Sequence, residues 1–398
     1  MGSSRVAKAV TPVRTEPTAP RRRPVAESRP QPSVSAEVLA ENIRLAWQRC
    51  RRAVASNDKD LIRRLHLQAK QCDQSTNFAD LLGHLHRHRS YFPSGARIDP
   101  RCIEPVVVPV TPRTLEERLF KVMRGYWSMP YSKGYGRRLR FVVMDAYHDA
   151  VIGIIGLQSP SADLACRDDY LGVPKRDKLT VVNNTLDAYT IGASPTYAPL
   201  LGGKLVAGML HAPVIRQEYW QLYGHKRTTQ RHERIPQPLL AITTASAFGR
   251  SSIYNRLRFD DQLLAKPLGY TKGFGTLHLE ALYPQLVEWL KHSELFVPAG
   301  FGHGPKVRWQ NIMRALMALG ISREYLEHGI RREVFIFELV HNLQLVCQEG
   351  ALPEVSQFDP MSWADYWKER WCLPRSRRQP DWYDFDPMAQ IRQALLQS

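Results

Sequence analysis

The stretch from residue 183 to 278 constrains the fold most, because three glycine- and hydroxyl-rich turns there interrupt apolar, strand-like runs. They are Ser194-Pro-Thr-Tyr-Ala-Pro-Leu-Leu-Gly-Gly-Lys-Leu205, Thr243-Thr-Ala-Ser-Ala-Phe-Gly-Arg-Ser-Ser-Ile-Tyr-Asn-Arg-Leu257 and Pro267-Leu-Gly-Tyr-Thr-Lys-Gly-Phe-Gly-Thr-Leu-His278. In each, an apolar run ends, small residues turn the chain, and a helix or strand begins. Such turns expose backbone N–H groups, which form an anion site at a helix start. A chain that needed only a packed core would not carry three.

The runs between the turns set the fold class. Leu139–Asp145 and Ala150–Leu157 read as a hairpin, and Thr185 to Ile191 as a strand entering the first turn. A helix follows from Gly203, and Pro213 begins a second helical piece ending at Tyr223. Pro238–Thr244 is a buried strand, Ser251-Ser252 opens a helix, and Phe274–Glu280 closes the region as a strand. This order predicts an α/β (α+β) fold with a mixed central sheet and helices on its faces. It resembles the GNAT-type N-acetyltransferase architecture, which implies a pyrophosphate-binding turn at a helix start and a later helix carrying a Tyr.

Helical modules are expected on either side. Residues 1–35, rich in Pro, Arg, Ser and Ala around Arg21-Arg-Arg23, read as a disordered basic arm. Residues 36–112 read as an N-terminal helical module and linker. Its three helices are marked by Val38, Leu39 and Ile43, by Asp58 before Leu61 and Ile62, and by Phe78 to Arg87. The last ends in His84-Leu-His-Arg-His-Arg89, whose i and i+2 histidines do not share a helical face, so it reads as a basic helix end. Residues 93–112, with several prolines, read as a linker or an edge strand. Residues 113–292 form the α/β core. It opens with a helix over 114–125 and a loop, Tyr126 to Arg138, in which aromatics alternate with cations. Residues 293–398 read as a helical region with an aromatic, basic tail. Val307–Leu319, Ser322–Gly329 and Glu333–Cys347 are expected as three helices, either a helix-turn-helix-like unit or a helical cap on the sheet.

Charge points to the partner. Fifty-five Lys and Arg stand against 38 Asp and Glu, a formal charge of +17 and a pI near 9.7. That balance favours a polyanion, most often nucleic acid, with salt-sensitive binding. A basic enzyme with a small acidic substrate is the other reading. The six cysteines form no CxxC pair, which fits a reduced, cytoplasmic protein, and no run approaches the ~18 apolar residues of a membrane span.

The turns supply the candidate site residues. Gly202, Gly203 and Lys204 put two glycines and a cation at a helix start, where a phosphate or pyrophosphate can approach the backbone; a tight strand-to-helix turn is the structural alternative. The Walker A spacing is absent. Ser251 and Ser252 are helix caps or phosphate contacts, and Arg250 and Arg256 can grip phosphate in forked geometry. Tyr254 is the candidate general acid, and Asp187 is retained as a second catalytic candidate. Arg137, Arg138, Thr271 and Lys272 complete the expected phosphate contacts, and no metal site is assigned.

Five blocks closely resemble the DruA family of Druantia anti-phage defence systems. They are Gly134-Tyr-Gly-Arg-Arg138; Arg167-Asp-Asp with Gly172; Leu186-Asp-Ala-Tyr-Thr-Ile-Gly-Ala through Leu200-Leu-Gly-Gly-Lys-Leu-Val-Ala207; Thr243-Thr through Leu257; and Gly269-Tyr-Thr-Lys-Gly-Phe-Gly275. The likeness covers most of residues 36–350. It implies a role in bacterial defence or a mobile element, with nucleic acid as partner, DNA in preference to RNA, and other defence subunits alongside. It brings no settled reaction. Transfer of an acyl-type group from a coenzyme A-type cofactor and a purely scaffolding role stand beside the nucleic-acid reading. Thr243 to Tyr254 is also loosely similar to the turn of phage Mom-type DNA-modifying proteins.

Overall fold

The computed structural model describes residues 34–71, 77–129, 136–173, 178–228, 232–299 and 307–396. The basic arm, apart from Val34 and Ser35, and residues 130–135 of the aromatic–cation loop lie outside the described residues.

The N-terminal helices begin where caps are available. Helix α1 (Ala36–Ala55) is capped by Ser35, α2 (Lys59–Gln71) follows Asp58, and α3 (Phe78–Arg87) is capped by Asn77. The expected edge strand is β1 (Pro105–Pro109), and Thr114 caps α4 (Leu115–Tyr126). The hairpin is β2 (Arg138–Asp145) and β3 (Ala150–Gln158). Then come α5 (Ala165–Leu171), α6 (Lys178–Asn183), β4 (Thr185–Ala193), α7 (Gly202–Gly208), α8 (Pro213–Tyr223) and β5 (Ala241–Ala245). A short hairpin, β6 (Arg258–Phe259) and β7 (Gln262–Leu263), leads into β8 (Lys266–Tyr270). The rest is α9 (Tyr283–His292), α10 (Val307–Ala318), β9 (Glu333–Glu338), α11 (Leu343–Glu349), α12 (Pro360–Trp367), α13 (Leu373–Arg378) and α14 (Pro387–Leu396).

The main sheet has the order β1-β2-β3-β4-β5-β9-β8. Among the described residues its neighbours pair antiparallel except β4 and β5, which run parallel through the α7–α8 crossover. Strand β3 is apolar along its length because both of its faces are covered. On one face Ile152, Ile155 and Leu157 pack with Leu205 and Val206 of α7 and with Trp363 and Trp367 of α12. On the other, Val151 and Ile154 pack with Leu119, Phe120 and Met123 of α4 and with Ile391 and Leu395 of α14. Each such side chain contributes about 1.5–3 kcal/mol on leaving water. The mixed α/β class expected from the sequence is the class observed.

Four local expectations are corrected. Glu333–Cys347 is not one helix: Glu333–Glu338 forms β9, between β5 and β8. Its run Val334-Phe335-Ile336-Phe337 is buried on both faces, and a continuous apolar run carries no period that separates strand from helix. Ser322–Gly329 holds only a 3-10 turn, Arg323–Leu326, so the three-helix unit does not form. The closing strand is Lys266–Tyr270, whereas Leu277–Leu282 is 3-10 helix. Its Pro267 is tolerated because β8 is an edge strand. Finally, Ser251–Arg256 is a series of turns rather than a helix, because Arg256 takes left-handed backbone, φ 56°, and diverts the chain into β6.

The aromatic tail packs back on the core. Trp363 and Trp367 are fully buried, and their indole N–H groups donate to the Leu205 and Leu201 carbonyls at 3.0 and 3.1 Å. The tail therefore buttresses the helix that begins at the glycine pair.

Candidate functional site between two parting strands

Strands β4 and β5 pair from Thr185–Ala241 to Ala188–Thr244. Beyond that point β5 ends at Ala245, while β4 runs on to Ala193, still paired with β3. The sheet thus opens at the carboxyl ends of its two parallel strands, the usual position for ligands in α/β proteins. A cleft of about 510 Å³ fills the opening.

The second glycine turn forms one wall. Ser246 hydrogen-bonds the Gly249 carbonyl and accepts the Glu333 N–H at 3.0 Å. The Glu333 N–H also donates to Gly249 O at 3.1 Å, and the Glu333 carboxylate accepts the Ser251 N–H at 3.3 Å. Glu333, buried at the start of β9, therefore anchors both ends of residues 246–251. The Ser251 hydroxyl accepts the N–H groups of Ile253 and Tyr254, fixing the next turn. This presents Arg250 and Ser252, both exposed, and the buried Tyr254 to the cleft. The Tyr254 ring packs on Phe335 and Phe337. Burial pushes the Tyr254 phenol up to about 12, so it keeps its proton at neutral pH.

The first glycine turn forms the floor. Leu201 takes left-handed backbone, and the Gly202 and Lys204 N–H groups donate to the Tyr197 and Leu201 carbonyls, both at 2.9 Å. A Cβ at Gly202 would lie 2.8 Å from Tyr197 O, and one at Gly203 3.2 Å from Ile253 Cδ1, so the pair is needed for close approach. The Lys204 ammonium donates to the carbonyls of Ile253, 3.0 Å, and Asn255, 3.3 Å, and lies 5.4 Å from the Trp371 ring centroid. Burial, with Arg370 nearby, lowers it to about 8. Lys204 thus ties the floor to the wall.

The opposite wall comes from distant segments. Trp127, Ser128 and Met129 follow α4, Lys59 begins α2, and Arg124, buried in the last turn of α4, donates to Met129 O at 3.2 Å. Phe248 closes this side against His66 and Arg63. Among the described residues the lining holds four cations, Lys59, Arg124, Lys204 and Arg250, and no carboxylate. With Trp127, Phe248, Tyr189 and Tyr254 it can hold an anionic group attached to a flat ring.

The structure brings Gly203, Lys204, Arg250, Ser251, Ser252 and Tyr254 together on this cleft, with Gly202 buried beneath. It does not bring the others there. Asp187 hydrogen-bonds Thr243, whereas Tyr254 packs on Phe335 and Phe337, the β9 partners of Thr244 and Ile242; successive strand residues face opposite sides, so the two catalytic candidates flank the sheet on different faces. Surrounding protein atoms raise the Asp187 carboxyl to about 6. The Arg137 guanidinium is buried, bonded to the Asn183, Val182 and Thr185 carbonyls and to the Tyr219 hydroxyl. Arg138 lies at the start of β2, beside a separate hollow with Glu218. Arg256 is exposed, and Thr271 accepts the Arg332 N–H at 3.0 Å next to exposed Lys272. Sequence reasoning missed Lys59, Arg124 and Phe248; Trp127 lay in the aromatic–cation loop it had marked.

A family model described as "Druantia protein DruA" matches residues 56–348. The Druantia protein DruA of Escherichia coli (strain UMEA 4076-1) is 34% identical over 334 residues, covering 82% of this chain and 82% of that protein. No solved structure matches significantly. With most of the chain covered by the family model and by this relative, the protein belongs to the Druantia DruA family.

Proposed function

We propose that this chain is the nucleic-acid-binding component of a Druantia-type anti-phage defence system, and that the cleft between β4 and β5 is where it holds the nucleic acid. Membership of the DruA family supports the defence role and makes other subunits of such a system its expected protein partners. The observation that carries the nucleic-acid reading is the cleft lining, which among the described residues holds four cations and no carboxylate, interleaved with aromatic rings. Phosphates pair with cations such as Lys59 and Arg250, whereas Lys204 is held by the Ile253 and Asn255 carbonyls, and bases stack on the rings. DNA is favoured over RNA as the partner, with Arg250, Ser251 and Ser252 as phosphate contacts. Arg138, Arg256, Thr271 and Lys272 are assigned to backbone contacts outside the cleft, and Arg137 is not, because its guanidinium is held by backbone carbonyls and Tyr219. No helix among the described residues is long and apolar enough to cross a membrane. Fluorescence anisotropy with a labelled 20-mer across a salt series tests the proposal. Affinity should fall steeply with salt, and Lys59→Ala/Arg250→Ala should weaken binding by roughly 10-fold or more and flatten the salt slope. Binding that ignores salt, or a double variant that matches the wild type, rejects it.

A second reading, transfer of an acyl-type group to the bound nucleic acid, rests on the parting strands. Among the described residues the β4–β5 ladder ends at Ala188–Thr244, and the cleft that opens beyond it has room for an elongated coenzyme A-type molecule. Gly202, Gly203 and Lys204 would hold its pyrophosphate. A base amino nitrogen would attack the thioester carbonyl, forming the C–N bond and breaking C–S. Tyr254 would protonate the departing thiolate, and solvent would take the amine proton, because Asp187 lies on the other face of the sheet. Coenzyme A should then raise the melting temperature of the wild type, and less so of Gly203→Val; no shift at millimolar cofactor removes this reading while leaving the first intact.

A further inference from the structure

A second groove, of about 660 Å³, lies outside the cleft where three separate segments meet: residues 96–101, the β2–β3 turn at Tyr147-His148, and α13 with Tyr383. It is a built feature. The Ala96 N–H donates to the Tyr383 carbonyl at 3.0 Å, and the Asp99 N–H to His148 Nε2 at 3.0 Å. Asp145, fully buried, accepts the N–H groups of Tyr147 and His148 and the His148 ring at 2.7 Å, which fixes the turn. At Gly95 a Cβ would come within 2.1 Å of the Trp382 carbonyl, so the chain passes there only as glycine.

The groove gathers cations that the fold does not use. Arg97, Arg101 and Arg377 line it, all exposed, and among the described residues no carboxylate or carbonyl pairs with their guanidinium groups. Arg167, by contrast, is buried and bonded to Asp168 and to the Ser161 and Ala162 carbonyls. The acid in the groove lining is Asp99, whose carboxylate accepts the Arg101 backbone N–H at 2.9 Å. Two tyrosine rings stand in solvent beside these arginines, Tyr147 at 64% and Tyr383 at 46% exposure. Each ring also touches a neighbour, Tyr147 the His148 ring and Tyr383 the Trp382 ring, and leaves the rest of its surface in solvent; unpaired guanidinium groups and such exposed rings together suit a flexible strand that offers phosphates and unstacked bases. A duplex offers the phosphates but hides the base faces.

The groove is also next to the cleft. Arg375 of α13 donates to the Pro199 carbonyl at 3.2 Å, and Ala198, just before Pro199, and Leu201, two residues after it, line the cleft. We infer that a single-stranded nucleic acid held in the cleft continues past residues 198–201 into this groove, with phosphates on Arg97, Arg101 and Arg377 and bases on Tyr147 and Tyr383. This rests on the nucleic-acid reading of the cleft and extends it to a strand form and a path.

Anisotropy titration of the full chain with labelled 20-mers of single-stranded DNA, single-stranded RNA and duplex DNA tests the inference. The triple variant Arg97→Ala/Arg101→Ala/Arg377→Ala should bind single strands on the order of 100-fold more weakly and lose roughly 2 from the salt slope, about 0.7 per phosphate. Tyr147→Ala/Tyr383→Ala should weaken binding roughly 30-fold or more, at about 1 kcal/mol or more per ring, and Tyr147→Phe/Tyr383→Phe should restore it, because stacking needs the ring and not the hydroxyl. All five side chains are exposed, so each variant should keep the wild-type melting temperature. Duplex DNA bound more tightly than a single strand, or a triple variant with wild-type affinity and slope, overturns the groove; if Lys59→Ala/Arg250→Ala still weakens binding in that case, the cleft reading stands alone. Wild-type protein that binds none of the three oligonucleotides removes both.

Discussion

Lys204 shows how a cation beside two glycines can serve its own fold. Its ammonium donates to the Ile253 and Asn255 carbonyls and rests beside Trp371, so it clasps the floor of the cleft to the wall that carries Tyr254. A hydrogen bond from a charged donor contributes about 1.5–3 kcal/mol when buried, and less here because the side chain is only partly covered. Lys204→Met, which keeps the stem, should therefore lower stability by about 1 kcal/mol, read as a lower urea midpoint. It should leave the salt slope of nucleic-acid binding unchanged. A phosphate-bound Lys204 would give the reverse pattern: an unchanged midpoint and a slope smaller by about 0.7–0.9. The two measurements on one variant thus decide whether this ammonium faces the ligand or the turn.

At the scale of elements, what could be read beforehand follows from how local each signal is. The β2–β3 hairpin, β4, α7 and the Pro213 start of α8 carry local period, turn or proline signals, and each lies close to where those signals place it. Strand β9 does not: Val334-Phe335-Ile336-Phe337 has no polar face, and only its position between β5 and β8 makes it a strand. The missed strand matters for the site, because β9 brings Glu333 under residues 246–251 and Phe335 and Phe337 under Tyr254. Ser251, Ser252, Arg250 and Tyr254 were visible as a cluster because they are contiguous in the chain. Lys59 and Arg124 were not, since nothing local distinguishes a cation on an amphipathic helix that meets the cleft from one that meets water. Arg137 misled in the opposite direction: it sits in a basic, aromatic stretch, yet folding turns its guanidinium inward onto backbone carbonyls.

At the scale of the whole molecule, the basic charge is matched by buried histidines that must stay neutral. His66, His211, His278 and His328 are each at most 7% exposed. Burial lowers His66 to about 3 and the other three to about 4, from an ordinary 6.5. Their surroundings explain the direction. His66 Nε2 faces the Arg332 guanidinium at 3.4 Å, and the His278 and His328 rings lie 5.9 Å apart. The His328 Nδ1 accepts the Ile330 N–H at 3.0 Å, a role a protonated nitrogen cannot fill. Because the folded values lie below the unfolded one, the unfolded chain binds more protons between pH 6.5 and pH 4, and stability falls as pH drops through that window. At pH 5 the loss is on the order of 2 kcal/mol per histidine, offset by about 1 kcal/mol from Asp187, whose carboxyl is raised to about 6 and gains from acidification. The urea midpoint should therefore fall continuously from pH 7 to pH 5. His328→Asn should make that decline shallower by one histidine's share, whatever it does to stability at pH 7. A midpoint that holds level across the window would mean that these rings are protonated without penalty in the folded chain, and the neutral packing around Arg332 would have to be abandoned.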